Sequence, residues 1–158
     1  MNRRRAMTLV LAVVAQVLVA AQTTDPLVGK WALDVSASTS TGGKPTASTL
    51  TISEAAPQTL RFEIRDTFDG RVQEPWGFLA GPEGTERAVS PASFIDTVAT
   101  TRRRGRSSSL VLKKGGAVVS DMTTDVSDDG STLTVTSKAS APNGDSVTGT
   151  SIYRRLPS

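Results

Sequence analysis

The side chains that most often carry out catalysis are missing from this chain, which has no His and no Cys among its 158 residues. Absent Cys excludes disulfides, thiolate zinc sites and a thiol nucleophile, and absent His removes the commonest general base. The chain also contains no phosphate-loop, dinucleotide-binding or nucleophile-elbow motif. We therefore expect binding rather than enzymatic activity, and no cofactor.

An acidic cluster and a basic cluster are the two charged groups that could hold an ion. Asp125, Asp128 and Asp129 precede Gly130, but their spacing differs from that of a calcium-binding EF-hand loop, so a hairpin turn is predicted instead of a metal site. The basic cluster could bind an anion through its guanidinium groups, or could be a solvated strand edge; it consists of Arg102, Arg103, Arg104 and Arg106. No aromatic residue lies between positions 95 and 117, so nucleic acid is not an expected partner.

Six apolar side chains could line a cavity for a small ligand. They are Phe62, Ile64, Trp76, Phe78, Val118 and Tyr153. The chain has only four Phe, two Trp and one Tyr, so bulky residues would fill the interior of a barrel sparsely. The same six residues could also be ordinary core, because alternating apolar residues always indicate burial.

The elements that would position these residues are β-strands. Apolar and polar residues alternate at 49–53 and 60–67, which is typical of antiparallel strands with one face in water. Strands are predicted at 29–34, 49–53, 60–67, 71–78, 109–113, 117–126, 132–137 and 146–154, with a ninth at 95–101. Residues 36–46 and 77–93 are predicted loops.

Short turns join most of these strands. The pairs Asp69-Gly70, Gly115-Gly116, Asp129-Gly130 and Asn143-Gly144 are typical of tight hairpins. Eight to nine strands with such connections predict an all-β, up-and-down antiparallel barrel, because closure removes exposed edges. A sandwich of the same strands is the alternative.

The amino terminus has the three parts of a secretory signal peptide. Arg3, Arg4 and Arg5 precede an apolar run that ends in small residues at Ala21. We therefore predict a signal peptide at 1–21, one mature domain at 22–158, and export to a periplasm or the exterior. A membrane anchor is the alternative, although the run is short for spanning a bilayer. The three Arg account for the net charge of +3, so the mature domain is formally neutral, without a transmembrane segment.

Both ends of the mature domain resemble those of the lipocalin-like (calycin) proteins, and in particular those of small secreted bacterial lipocalin-like domains. The first strand, LVGKWALDVS at 27–36, contains the Gly-x-Trp opening of that family. The later segments KKGGAVV at 113–119, VSDDGSTLTVT at 126–136 and SIYRR at 151–155 are similar too. The resemblance implies structural roles for Gly29, Trp31, Arg154 and Arg155, with Trp31 closing the barrel beneath one of the two arginines.

The expected function is binding of a small apolar or amphipathic ligand inside the barrel. The alternative is a secreted or envelope-associated module, an inhibitor or a structural protein, that has a filled barrel and contacts another protein through its loops. A cavity would favour the first, and a filled barrel with an exposed apolar patch the second.

Overall fold

The computed structural model describes residues 24–90, 94–141 and 143–158, and within these ranges the chain consists of strands, turns and loops without a helix. The predicted signal peptide lies outside the described residues. The strands are β1 (Gly29–Leu33), β2 (Thr39–Ser40), β3 (Ala47–Ala56), β4 (Thr59–Phe68), β5 (Arg71–Val72), β6 (Trp76–Ala80), β7 (Glu86–Ala88), β8 (Thr97–Arg104), β9 (Ser107–Lys114), β10 (Ala117–Val126), β11 (Thr132–Ser140) and β12 (Ser146–Arg155).

All of these strands belong to one antiparallel sheet. Its order is β5-β4-β3-β1-β12-β11-β10-β9-β8-β7, in which most neighbours in space are also neighbours along the chain. β2 pairs with β12, and β6 pairs with a second part of β4. β6 also contacts β7 and β8, but no ladder joins them in the described ranges. The two ends of the sheet therefore meet along an unpaired seam, which we call the β6–β7 seam.

The alternation of β4 shows why these residues form strands with one inner face. Leu60, Phe62 and Ile64 are buried, whereas Arg61 and Glu63 between them are exposed. Burial of large apolar side chains contributes about 1.5 to 3 kcal/mol each, which fixes the register because a slip by one residue would expose all of them.

Two of the predicted hairpins show the backbone that their sequences require. Asp69 and Gly70 have φ of 48° and 75°, and Gly115 and Gly116 have φ of 55° and 79°. Consecutive positive φ angles are those of a tight turn whose twist matches the twist of the flanking strands. The predicted all-β antiparallel architecture is confirmed.

The structure has more strand segments than the eight to nine predicted. The predicted strand at 71–78 is divided into β5 and β6, because no ladder includes residues 73–75, although the backbone N–H of Gln73 still donates to the carbonyl of Asp66 in β4 at 2.9 Å. The two predicted loops each contain a short strand, β2 and β7. Two or three residues are too few to produce an alternation that sequence can reveal.

The core is mostly apolar, with a few buried hydroxyl groups. Trp31, Ile95, Val98 and Leu133 are each fully buried. Buried Thr124 shares a hydrogen bond of 2.8 Å with Ser108. Buried Thr100, in contrast, has no hydrogen-bond partner for its hydroxyl.

Candidate functional site

A groove of about 1060 Å³, open to solvent, runs along the β6–β7 seam. It is formed by β4, β6 and the residues after β7, and side chains from both faces of the sheet reach it because β6 has a free edge. Its lining includes aromatic Phe62, Phe68, Trp76, Phe78 and Phe94, apolar Leu79 and Val89, and charged Arg61, Glu63, Arg65, Asp66 and Glu74. We call it the seam groove.

Aromatic rings form the apolar wall of the seam groove. Phe62 and Phe78 are stacked with centroids 4.7 Å apart and planes inclined by 12°. The ring of Trp76 lies 6.0 Å from that of Phe78. Phe94 meets Trp76 edge to face at 4.7 Å and 74°. Because Phe94 follows β7, this last contact crosses the seam.

One carboxylate of the groove lies on the inner face of the sheet. Asp66 is two residues after Ile64 and four after Phe62 in β4, so its side chain faces the same side of the sheet as theirs. It is paired with Ser48 of β3. The indole Nε1 of Trp76 donates to Oδ2 of Asp66 at 3.5 Å. Asp66 takes part in none of the ion pairs of the described ranges.

A tyrosine lies near this carboxylate. The hydroxyl of Tyr153 is 3.3 Å from Oγ of Ser48, the residue paired with Asp66. Burial raises the pKa of Tyr153 above its ordinary value of 10.0, the negative charge of Asp66 raises it further, and the Ser48 hydrogen bond opposes them. Tyr153 is therefore a neutral polar group beside the inner end of the groove.

The structure brings together three of the six predicted ligand-binding residues. Phe62, Trp76 and Phe78 line the seam groove. Ile64, which is paired with Trp76, and Tyr153 are outside the groove lining and belong to the buried core, to which Phe62 and Phe78 also belong. The ligand contacts of these residues stay a prediction.

The prediction for Val118 is wrong about its orientation. Val118 is paired with outward-facing Lys113 and is 50% exposed. A β-bulge between Val118 and Ser120 adds one residue to β10 and reverses the alternation there. Val119 therefore packs against the core in its place.

Asp66 and Phe94 are among the groove residues that sequence reasoning missed. Asp66 continues the inner-face alternation of Phe62 and Ile64, so the pattern contained the signal, although a charged residue is not expected on an inner face. Phe94 follows the irregular segment around Pro82 and Gly84, where no periodicity predicts a contact.

The predicted anion-binding arginines are largely occupied by carboxylates. Arg103 pairs with Asp25, and Arg106 pairs with Asp128. Arg104 pairs with Glu83 at 2.6 Å. Arg102 is exposed and has no ion pair in the described ranges. The cluster therefore joins neighbouring loops instead of presenting several open guanidinium groups.

The structure places Arg155, rather than Arg154, over Trp31. The Arg155 guanidinium carbon lies 4.0 Å from the centroid of the indole, and the indole Nε1 donates to the carbonyl of Leu27 at 3.0 Å. Gly29 has φ of +150°, and a Cβ there would collide with the Arg155 guanidinium. Arg154 instead pairs with Asp34 at 3.1 Å.

The acidic turn between β10 and β11 is organised by its own hydroxyl groups. Ser127 Oγ donates to Asp129 at 2.6 Å, and the backbone N–H of Ser131 donates at 3.0 Å. These hydrogen bonds lower the pKa of Asp129 to about 2. The described residues contain no group of three or more carboxylates placed to hold a metal ion.

The fold resembles several solved structures, although no family model and no curated protein sequence matches the chain. The fluorescent protein UnaG is 20% identical with a TM-score of 0.56, over 82% of this chain and 97% of UnaG. Zebrafish ileal bile-acid-binding protein, solved with cholic acid, is 14% identical with a TM-score of 0.53, over 83% and 99% of the chains. The siderocalin Ex-FABP is 11% identical with a TM-score of 0.51, over 83% and 74%.

The fold of this chain is similar to that of these three proteins. Together with the continuous strand order, these matches support the up-and-down barrel over the sandwich. At identities this low, the likeness concerns the fold alone.

Among the described residues, no helix is long and apolar enough to cross a membrane.

Proposed function

We propose that this protein binds a small apolar or amphipathic molecule in the seam groove and has no enzymatic activity. The observation that carries the proposal is the aromatic wall of Phe62, Trp76, Phe78 and Phe94 around a space of about 1060 Å³. Ligand sites are typically apolar clefts of roughly 300 to 1,000 Å³ with a few polar groups that orient the ligand.

The position of the groove explains how a ligand would enter. A barrel closed by continuous ladders would have to open at one end, whereas the described residues form no backbone hydrogen bonds between β6 and β7 that a ligand would have to break. Phe94 is 54% exposed although its ring contacts Trp76. A ligand that covers Phe94 would remove apolar surface from water, which favours binding.

Binding of a neutral fluorescent probe, N-phenyl-1-naphthylamine, tests this proposal. We expect saturable binding that Phe94→Ala weakens by about tenfold, since a buried aromatic contact contributes about 1.5 kcal/mol or more. Val118→Ala is the matched control on the outer face and leaves the affinity unchanged. Absence of saturable binding, or equal affinities for the two variants, would contradict the proposal.

A second candidate function is the protein-interaction module. Phe68, Val72 and Phe94 are exposed large apolar residues, and exposed apolar surface is also typical of protein contacts. Native mass spectrometry of protein purified from its own host separates the candidates. A retained small molecule supports the ligand carrier, and a stable protein complex without a small molecule supports the module.

We also propose that the chain is exported after cleavage behind Ala21. The support is the sequence alone: three arginines, a short apolar run and small residues. The intact mass of the protein recovered from cell fractions tests this proposal. A mature species that begins at Gln22 outside the cytoplasm is expected, and a full-length cytoplasmic species would contradict export.

A further inference from the structure

We propose that the seam groove selects a cationic amphiphile, in which an ammonium group lies against Asp66 and the aromatic wall while an apolar chain or ring contacts the other apolar side chains of the groove. This inference rests on the proposed function, since it names the class of ligand that the same groove would take.

Asp66 is the first reason. Its carboxylate lines the groove from the inner face, where it accepts a long hydrogen bond of 3.5 Å from Trp76 Nε1. A carboxylate can accept about four hydrogen bonds, so the described residues leave most of this capacity unused. A charged group on an inner face is costly unless it is paired, and no cation of the described ranges pairs with it.

The arrangement of the aromatic rings is the second reason. Trp76 stands between Phe78 at 6.0 Å and Phe94 at 4.7 Å, and these rings are tilted by 35° and 74° from it. Trp76 is partly exposed and Phe94 is 54% exposed, and the faces of such rings attract cations. The carboxylate and the rings therefore favour the same kind of charge.

The remaining charges of the groove do not favour an anion. Arg61 and Arg65 lie on the opposite, outer face of β4 and are exposed, as is Glu63 between them. The lining also includes exposed Glu74, so its carboxylates outnumber its guanidinium groups. An anionic head group that entered beside Trp76 would meet the charge of Asp66.

Three ligands with the same ten-carbon chain test the inference: decyltrimethylammonium, decanol and decanoate. Each would be used below its micelle concentration to displace N-phenyl-1-naphthylamine from the purified protein at low ionic strength. We expect decyltrimethylammonium to bind about tenfold more tightly than decanol, and decanoate to bind more weakly than both. Added salt should weaken the ammonium ligand and leave decanol unchanged, because salt screens partly exposed charges.

Three substitutions locate the preference. Asp66→Asn keeps the shape of the side chain and should reduce the ammonium affinity to that of decanol. Phe94→Leu keeps apolar bulk without a π face and should weaken the ammonium ligand about threefold while changing decanol little. Asp121→Asn is the matched control: it makes the same change at an exposed carboxylate of β10 that does not line the groove, and its effect should stay below about twofold.

The possible outcomes separate the inference from the proposed function. If the three ligands bind equally, if decanoate binds most tightly, or if Asp121→Asn has the effect expected of Asp66→Asn, the inference is wrong while ligand binding stands. If no ligand displaces the probe and the probe itself does not bind, both are wrong. Should Asp66→Asn not fold, the salt dependence measured on the unchanged chain decides.

Discussion

Arg155 links separate segments of the barrel through one guanidinium group. It donates to the carbonyls of Gly130 at 2.6 Å and of Val28 and Pro26 at 2.7 Å each, while its plane covers Trp31. The N-terminal segment and the β10–β11 turn are thus held over the buried indole. Lys cannot reproduce this fork because it has a single nitrogen on a flexible stem.

We expect Arg155→Lys to lower the free energy of unfolding by about 2 to 3 kcal/mol, since hydrogen bonds from a charged group and the cation–π contact are lost. Urea denaturation followed by circular dichroism measures this change. Arg154→Lys is the matched control: Arg154 is exposed and pairs with Asp34, so its cost should be below about 1 kcal/mol. Equal costs for the two variants would show that Arg155 has no special role.

For structural residues such as Trp31 and for Val118, the sequence predicted which residues matter better than it predicted which way their side chains point. The resemblance to lipocalin-like proteins named Trp31 with either arginine, and only the pairing of Trp31 with Arg155 in the β1–β12 ladder decides between them. Val118 was misplaced because a bulge depends on how two strands fit, which a single strand's alternation does not reveal.

The seam between β6 and β7 is the main feature at the level of elements. β6 pairs only with β4 and β7 only with β8 in the described ranges, so the sheet closes here through side chains such as Trp76 and Phe94. The strong alternation of β4 was predictable from sequence. The seam was not, because β7 has three residues and Phe94 lies beyond it.

The same substitution should have opposite effects at two buried threonines, which lie in the two strands on either side of β9. Thr100 of β8 has no hydrogen-bond partner for its hydroxyl, whereas Thr124 of β10 bonds to Ser108 at 2.8 Å. We expect Thr100→Val to raise the free energy of unfolding by about 1 kcal/mol and Thr124→Val to lower it by about 1 to 3 kcal/mol. Denaturant melts of both variants measure the difference, and a loss of stability in Thr100→Val would contradict the assignment.

The whole molecule should have a broad plateau of stability between an acid and an alkaline limit. Hydrogen bonds and neighbouring cations lower the pKa of several carboxyl groups: Asp34, Glu83, Glu86, Asp96 and Asp129. The folded chain therefore binds these protons less readily than the unfolded chain, so acid favours unfolding. The raised pKa of Tyr153 has the opposite consequence, because ionisation then favours unfolding at high pH.

The melting temperature should accordingly begin to fall when the pH drops below the ordinary pKa values of Glu and Asp, which are 4.5 and 3.8. It should continue to fall until the pH reaches about 2, the pKa of Asp129 in the folded chain. It should fall again as the pH rises above 10.0. Because the chain has no His, no step is expected between about pH 5 and 8. Calorimetry across this range measures the profile, and a transition near neutral pH would be inconsistent with it.

Binding in the seam groove can be tested most directly through the two tryptophans of the chain. Trp76 lines the groove, whereas Trp31 is fully buried beneath Arg155 and does not line it. Their indole N–H groups give separate signals in a nitrogen–proton correlation spectrum, which can be assigned with Trp76→Phe. During titration with a neutral or cationic amphiphile, the Trp76 signal should shift to saturation while the Trp31 signal stays in place. A shift confined to Trp31, or no shift of either signal at saturating ligand, would contradict binding in this groove.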